Sequence, residues 1–320
     1  MTRIGLVLGA GGVVGQAYHA GILTALAEVT GWDPRDAEVV VGTSAGSGAA
    51  ALVRLGVAPS DLKRRACDEP LSPEARRLLG RAPAPAPIDL RPPRRGAGGR
   101  RPAAPGLLRR AVTRPGSIRP GVLAAATLPE GQIRVDQLGD GLRAMYGSAH
   151  WPSEPTWICA VGLDDGQRVV FGRAGSPSTD IGSAVQASSA IPGFFAPVQI
   201  GGTRYVDGGA FSPTNLDLVG GLGLDLVVVS SPMSAAGGGP PSLRSALRAP
   251  TGFLLGRETR SVRRKGTEVL VFQPTAADLA AMGANAMDFS RRAQVARQAS
   301  ASGRERLADP RLQERIRLLR

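Results

Sequence analysis

Short apolar runs alternate with longer stretches of helical spacing along this chain. Residues 4–8 form such a run, and residues 16–29 then place Ala20, Leu23, Leu26 and Ala27 at helical intervals. The pattern repeats at once. Residues 38–41 read as a short buried strand, and residues 45–55, rich in Ala and Leu and free of proline, as the helix after it. Further along, the spacing predicts helices over 135–146 and 181–189, and strands over 156–162, 168–171, 225–230 and 268–272. It predicts a helical C-terminus from about residue 276. This order describes one sizeable α/β domain over residues 1–320, and a chain that is 42% hydrophobic can bury a large core.

Two strand-to-helix junctions carry candidate chemistry. The first is the glycine loop Gly9, Ala10, Gly11, Gly12, Val13, Val14, Gly15. Successive N–H groups at the start of a helix suit a phosphate or a developing oxyanion. A dinucleotide site is disfavoured: Val14 stands where the third glycine of Gly-x-Gly-x-x-Gly belongs, and the second strand ends without the acid that would bind a ribose. The second junction is Gly42, Thr43, Ser44, Ala45, Gly46, a Gly-x-Ser-x-Gly elbow that would hold Ser44 exposed on a sharp turn.

A serine nucleophile needs a base. The only histidines, His19 and His150, both precede Asp207-Gly208-Gly209, so the usual order of serine, acid and then histidine is absent. Asp207 would have to act on Ser44 directly, in a partly apolar site that makes the carboxylate basic enough, with Phe194, Phe195 and Tyr205 as candidate walls. The competing reading of Asp-Gly is an ordinary hairpin turn. His19 is expected to pack or cap its helix, and His150 to be structural or solvated.

With these pieces in order, the chain resembles the patatin-like phospholipases over most of its length. The resemblance rests on the glycine loop, on the elbow, on Asp207-Gly208-Gly209, and on the block from Ala187 to Val198 that leads to Tyr205, Val206 and Asp207. It implies a three-layer α/β/α fold with a mostly parallel central sheet and a Ser-Asp dyad of Ser44 and Asp207. It also implies an oxyanion hole from the backbone of Gly11, Gly12 and Val13, with Gly42, Gly46, Gly208 and Gly209 in support. The implied reaction is hydrolysis of carboxylic esters, chiefly of lipids, with no cofactor and no metal. Two departures stand out: Val14 replaces a frequent basic residue of the loop, and Ser212-Pro213-Thr214-Asn215 replaces a frequent Asn-Pro. A general carboxylesterase or thioesterase remains open, as does a non-catalytic lipid-binding or regulatory module on the same fold.

Charge changes the picture locally. Net charge is +13, yet segments 81–119, 257–265 and 291–320 carry +9, +4 and +6, which leaves the remainder at −6. The first segment lies in a stretch, about 82–120, dense in Pro, Arg, Gly and Ala. It is expected to be a flexible surface insertion with a short helical turn near 107–112, placed where a lid could cover the serine. The basic segments suit peripheral contact with an anionic membrane or simple solvation. Nucleic acid is disfavoured, since neither a binding motif nor an aromatic platform is present. Residues 237–241 read as a linker. Cys67 and Cys159 lack metal-ligand spacing and are expected as reduced thiols. Residues 4–8 already read as core strand with no leader before them, so a cytoplasmic enzyme is expected, and the oligomeric state is left open.

Overall fold

A computed structural model describes residues 2–82, 101–114, 116–236 and 248–319. The chain opens with β1 (Ile4–Leu8), α1 (Gly12–Thr30), β2 (Val39–Thr43), α2 (Ala45–Arg54), α3 (Pro59–Ala66) and α4 (Pro73–Leu79). It continues through α5 (Pro105–Thr113), α6 (Pro120–Thr127), α7 (Asp136–Tyr146), β3 (Thr156–Gly162), β4 (Arg168–Phe171) and α8 (Ile181–Ser188). The last part holds β5 (Val198–Ile200), β6 (Thr203–Asp207), β7 (Leu226–Ser230), α9 (Ala249–Arg263), β8 (Glu268–Phe272), α10 (Ala276–Met282), α11 (Arg292–Leu307) and α12 (Gln313–Arg317).

The eight strands form one sheet in the order β5-β6-β3-β2-β1-β7-β8, with β4 also paired to β3. The run β3-β2-β1-β7-β8 is parallel throughout, and the pairs β3–β4, β3–β6 and β5–β6 are antiparallel. Apolar strands with nothing polar to turn toward water are buried on both faces, and their alternation divides the core. Leu6, Leu8, Val40, Leu226 and Val228 pack with α1, α2, α8 and α11. Val7, Val39, Val41, Val227 and Val229 pack on the opposite face with Leu255 and Val262 of α9. The result is a three-layer α/β/α fold with a mostly parallel central sheet, each fully buried aliphatic side chain contributing about 1.5–3 kcal/mol.

Helix α1 begins at Gly12, four residues ahead of the expected start. Gly12 has φ +64°, open to glycine and strained for other residues, and a Cβ there would lie 2.6 Å from the Ala286 carbonyl oxygen. The glycines that weaken helix propensity are thus what lets the first turn form against its neighbours. The expected loose stretch 82–120 divides. Its residues 83–100 and 115 lie outside the described residues, as does the expected linker 237–241. The described part is ordered by burial: α5 is a full helix whose Leu107 is buried with Val122, Ala126, Val161, Leu163 and Val206. No helix among the described residues is long and apolar enough to cross a membrane.

Candidate active site

The registers on β3 explain how distant residues meet. β4 runs along Ile158 to Val161 on one edge of β3. Both β2 and β6 must then lie along the other edge, β2 over Thr156 to Cys159 and β6 over Ala160 to Gly162. They meet end to end. Thr43, the last residue of β2, faces Cys159, and Asp207, the last residue of β6, faces Ala160. The C-terminal ends of a parallel and an antiparallel strand therefore converge on consecutive residues of one strand.

Ser44 stands at that junction as the N-cap of α2, with φ 53° and ψ −121°. A non-glycine residue in this region costs about 1–3 kcal/mol and persists only where its surroundings hold it. One hydroxyl does much of the holding: Ser188 Oγ accepts from Ser44 N at 2.9 Å and donates to the Cys159 carbonyl at 2.6 Å. It is inserted where the β2–β3 ladder stops. The two flanking glycines allow the close packing, since a Cβ on Gly46 would fall 1.9 Å from the Leu8 carbonyl oxygen and one on Gly42 2.6 Å from Ser47 Cα.

Asp207 is 6% exposed and Ser44 5%. Burial pushes the Asp207 carboxyl up from 3.8 to about 6, while hydrogen bonds from the Ser44 side chain and the Gly209 N–H hold it down. The Gly209 bond to Oδ1 is 2.7 Å. Gly208 is pressed against the neighbouring strand, where a Cβ would lie 2.3 Å from the Cys159 carbonyl oxygen. Tyr205 packs on Phe171 at 5.2 Å and Phe194 on Phe195 at 4.7 Å. Asp207 is buried at the β2–β3–β6 junction, where its N–H donates to the Ala190 carbonyl at 2.9 Å.

The glycine loop lies beside this pair. Gly9 N–H donates to the Ser230 carbonyl at 2.9 Å, Ala10 N–H to that of Pro213 at 2.8 Å and Val14 N–H to that of Ala286 at 3.2 Å. The N–H groups of Gly11, Gly12 and Val13, all half-buried, have no acceptor among the described residues. Three adjacent open donors at the start of a helix favour negative charge. His19 helps fix the loop. It is wholly buried, with Nε2 at 2.8 Å from the Gly9 carbonyl and Nδ1 at 2.8 Å from Ser230 Oγ. A carbonyl only accepts, so Nε2 carries the proton and Nδ1 accepts from the serine. Burial pushes the imidazole down to about 4, so it is neutral, and neither nitrogen is free to take a proton from Ser44. His150 is exposed, and its carbonyl accepts from the Ile181 N–H. Both cysteines are buried free thiols.

Four further residues, not singled out by sequence reasoning, hold the site. Ser188 is one. Asn215, at φ 52°, donates from Nδ2 to Thr43 Oγ1 at 3.0 Å and to the Ser212 carbonyl at 2.7 Å. Buried Glu258 on α9 accepts from Ser212 Oγ and Thr214 Oγ1, both at 2.7 Å, and from Leu216 N–H at 3.1 Å. Thr43 thus ties the residue before Ser44 to the segment after Asp207. The unusual Ser-Pro-Thr-Asn sequence was the available signal, because its hydroxyls and amide are the groups used.

A family model described as patatin-like phospholipase matches residues 6–219. Among solved structures, the chain is similar to VipD from Legionella pneumophila, with a TM-score of 0.44 and 15% identity over 96% of this chain and 67% of that one. It is also similar to the type III effector protein ExoU, with a TM-score of 0.39 and 18% identity over 98% of this chain and 54% of that one. The chain thus spans about two thirds of the first and about half of the second.

Proposed function

The chain belongs to the patatin-like phospholipase family, and from that premise we propose that it hydrolyses carboxylic ester bonds of lipids with Ser44 as nucleophile and Asp207 as base. The observation that carries the reading is geometric: β2 and β6 end on consecutive residues of β3, which brings Ser44 beside Asp207, and burial there pushes the Asp207 carboxyl up to about 6. Such a carboxylate is ionised at neutral pH yet far more basic than an exposed one. Asp207 takes the proton as Ser44 Oγ bonds to the ester carbonyl carbon. The carbonyl oxygen becomes an oxyanion facing the N–H groups of Gly11, Gly12 and Val13, each such donor contributing about 3 kcal/mol. Collapse expels the alcohol, which leaves with the proton from Asp207. Water, losing a proton to Asp207, then attacks the acyl-serine, and the acid departs as Ser44 regains that proton.

A fluorophosphonate probe is expected to label wild-type protein stoichiometrically at Ser44 and to leave Ser44→Ala unlabelled. No labelling of the folded wild type would favour a non-catalytic lipid-binding module. The base must be ionised to act, so kcat/KM for a soluble ester should climb with pH along a one-proton limb centred near pH 6 and level off above about pH 7. A limb centred near 4 in a pH–rate series would rule out Asp207 as the buried base.

Ser188 supplies a positioning test. Ser188→Ala leaves the Ser44 N–H and the Cys159 carbonyl buried without their partner, at about 1–3 kcal/mol for each unsatisfied group. The melting temperature should fall and kcat should drop with little change in KM, since the side chain touches no substrate. Ser188→Thr, which restores the hydroxyl, should recover part of kcat. Equal kcat in wild type and Ser188→Ala would remove Ser188 from the elbow's support.

A further inference from the structure

A cavity lies apart from Ser44 and Asp207. Helix α5, the residues leading into α6 and the β3–β4 hairpin border a half-open cavity of about 570 Å³, lined chiefly by Arg110, Arg114, Arg119, Asp165, Gln167 and Phe211. Arg168, which borders this region, is matched to Asp217 at 2.7 Å, and Arg143 on α7 to Asp180 at 3.1 Å. Among the described residues no carboxylate pairs with Arg110, Arg114 or Arg119.

Two of these cations are fixed without being neutralised. Arg110 donates to the Asp165 carbonyl at 3.1 Å. Arg119 donates to the Phe211 carbonyl at 3.4 Å and lies 4.0 Å from the centre of the Phe211 ring, which Arg168 also approaches at 4.6 Å. The one acid of the lining, Asp165, turns back on its own hairpin, its Oδ1 accepting from Gln167 N–H at 2.9 Å. Three arginines and one acid therefore line a concave space, and no carboxylate among the described residues pairs with the three.

A guanidinium fork matches a phosphate in charge and in bidentate geometry, and a cavity of this size holds more than a bare ion. We propose that this cavity binds the phosphate group of a phosphate ester, with the ester's organic part in the remaining volume. The inference stands independently of the hydrolytic reading, since neither Ser44 nor Asp207 lines the cavity. Phe211 belongs to the segment directly after the Gly208–Ala210 turn.

Calorimetric titration of the full chain at low ionic strength tests it. Inorganic phosphate and glycerol 3-phosphate should bind saturably, and Arg114→Gln/Arg119→Gln should weaken both about tenfold or more, since one charge-assisted hydrogen bond is worth about 1.5–3 kcal/mol. Arg76→Gln/Arg77→Gln on α4 removes the same charge outside the cavity and should leave binding unchanged. Should the double variant fail to fold, Arg114→Gln alone carries the test, because its guanidinium holds no structural contact among the described residues. Co-sedimentation with phosphatidylcholine vesicles, with and without phosphatidic acid, separates the sources. Loss of phosphatidic acid binding in the cavity variant assigns a lipid head group, and loss confined to the soluble phosphates assigns a free ester. Equal weakening by the α4 pair, no change in the cavity variants, or acetate binding as tightly as phosphate would overturn the proposal.

Discussion

Asp207→Asn should lower ester hydrolysis by at least about a thousandfold, the upper part of the range for a positioned base, and yet give a more stable protein at neutral pH. Both effects come from one fact. Burial raises the carboxyl from 3.8 to about 6, so the folded state holds this proton more tightly than the unfolded chain does. That stabilisation is full below about pH 4 and is lost as pH rises through about 6, where the native carboxylate ionises inside the protein. A shift of about two pK units amounts to about 3 kcal/mol. Asparagine has no charge to desolvate, and its side-chain oxygen can still accept from the Gly209 N–H. Urea denaturation should show the variant ahead by about 3 kcal/mol at pH 8 and level with wild type at pH 4. Equal stability at both pH values would mean that the carboxylate is not desolvated, and near-normal turnover in the variant would remove Asp207 from the chemistry.

The second large effect is expected at Gly46. An added Cβ would lie 1.9 Å from the Leu8 carbonyl oxygen and 2.8 Å from that of Gly9. Both are backbone atoms of the strand that leads into the glycine loop, so no side chain can swing aside. Gly46→Ala must push α2 away from β1, separating Ser44 from the open N–H groups of Gly11 and Gly12. Stability should fall by several kcal/mol, about 3 or more, as in severe overpacking, and hydrolysis should be lost in whatever protein folds. Gly48→Ala on the same helix is the control. Its Cβ would meet only the end of the Gln16 side chain at 3.3 Å, and alanine gains about 0.5–1 kcal/mol over glycine inside a helix. A melting series of the two variants decides the matter: similar, small shifts for both would mean that the elbow tolerates movement.

Much of the fold could be read from periodicity. The runs at 4–8 and 156–162, and 269–272 after the exposed Glu268, are strands because they are almost wholly apolar, and α2, α7 and α8 carry clear helical spacing. The hairpin of β5 and β6 was harder. Its strands are three and five residues long and half exposed on one side, too short for alternation to stand out. Its turn, Gly201-Gly202 with both φ positive, was the readable signal. Helix α9 was hidden by its arginines and by Gly252 and Gly256, and it forms because Leu255 and Val262 cover the sheet while Glu258 meets hydroxyls from a distant loop. At the site, residue types pointed to Ser44, Asp207 and the glycine loop. Ser188 could not be found that way, because its task arises only where two strands end against a third.

That junction also bears on how the protein is made. Ser44 N–H finds its hydroxyl partner 144 residues downstream, and Asp207 reaches it only after β6 has docked on β3. Contacts closed over such long loops form late, because the chain entropy must be lost before they repay it. A nascent or partly collapsed chain can carry the elbow without a base beside it. On the proposed mechanism, hydrolytic activity would arrive only with the finished sheet, and a half-folded copy would lack it.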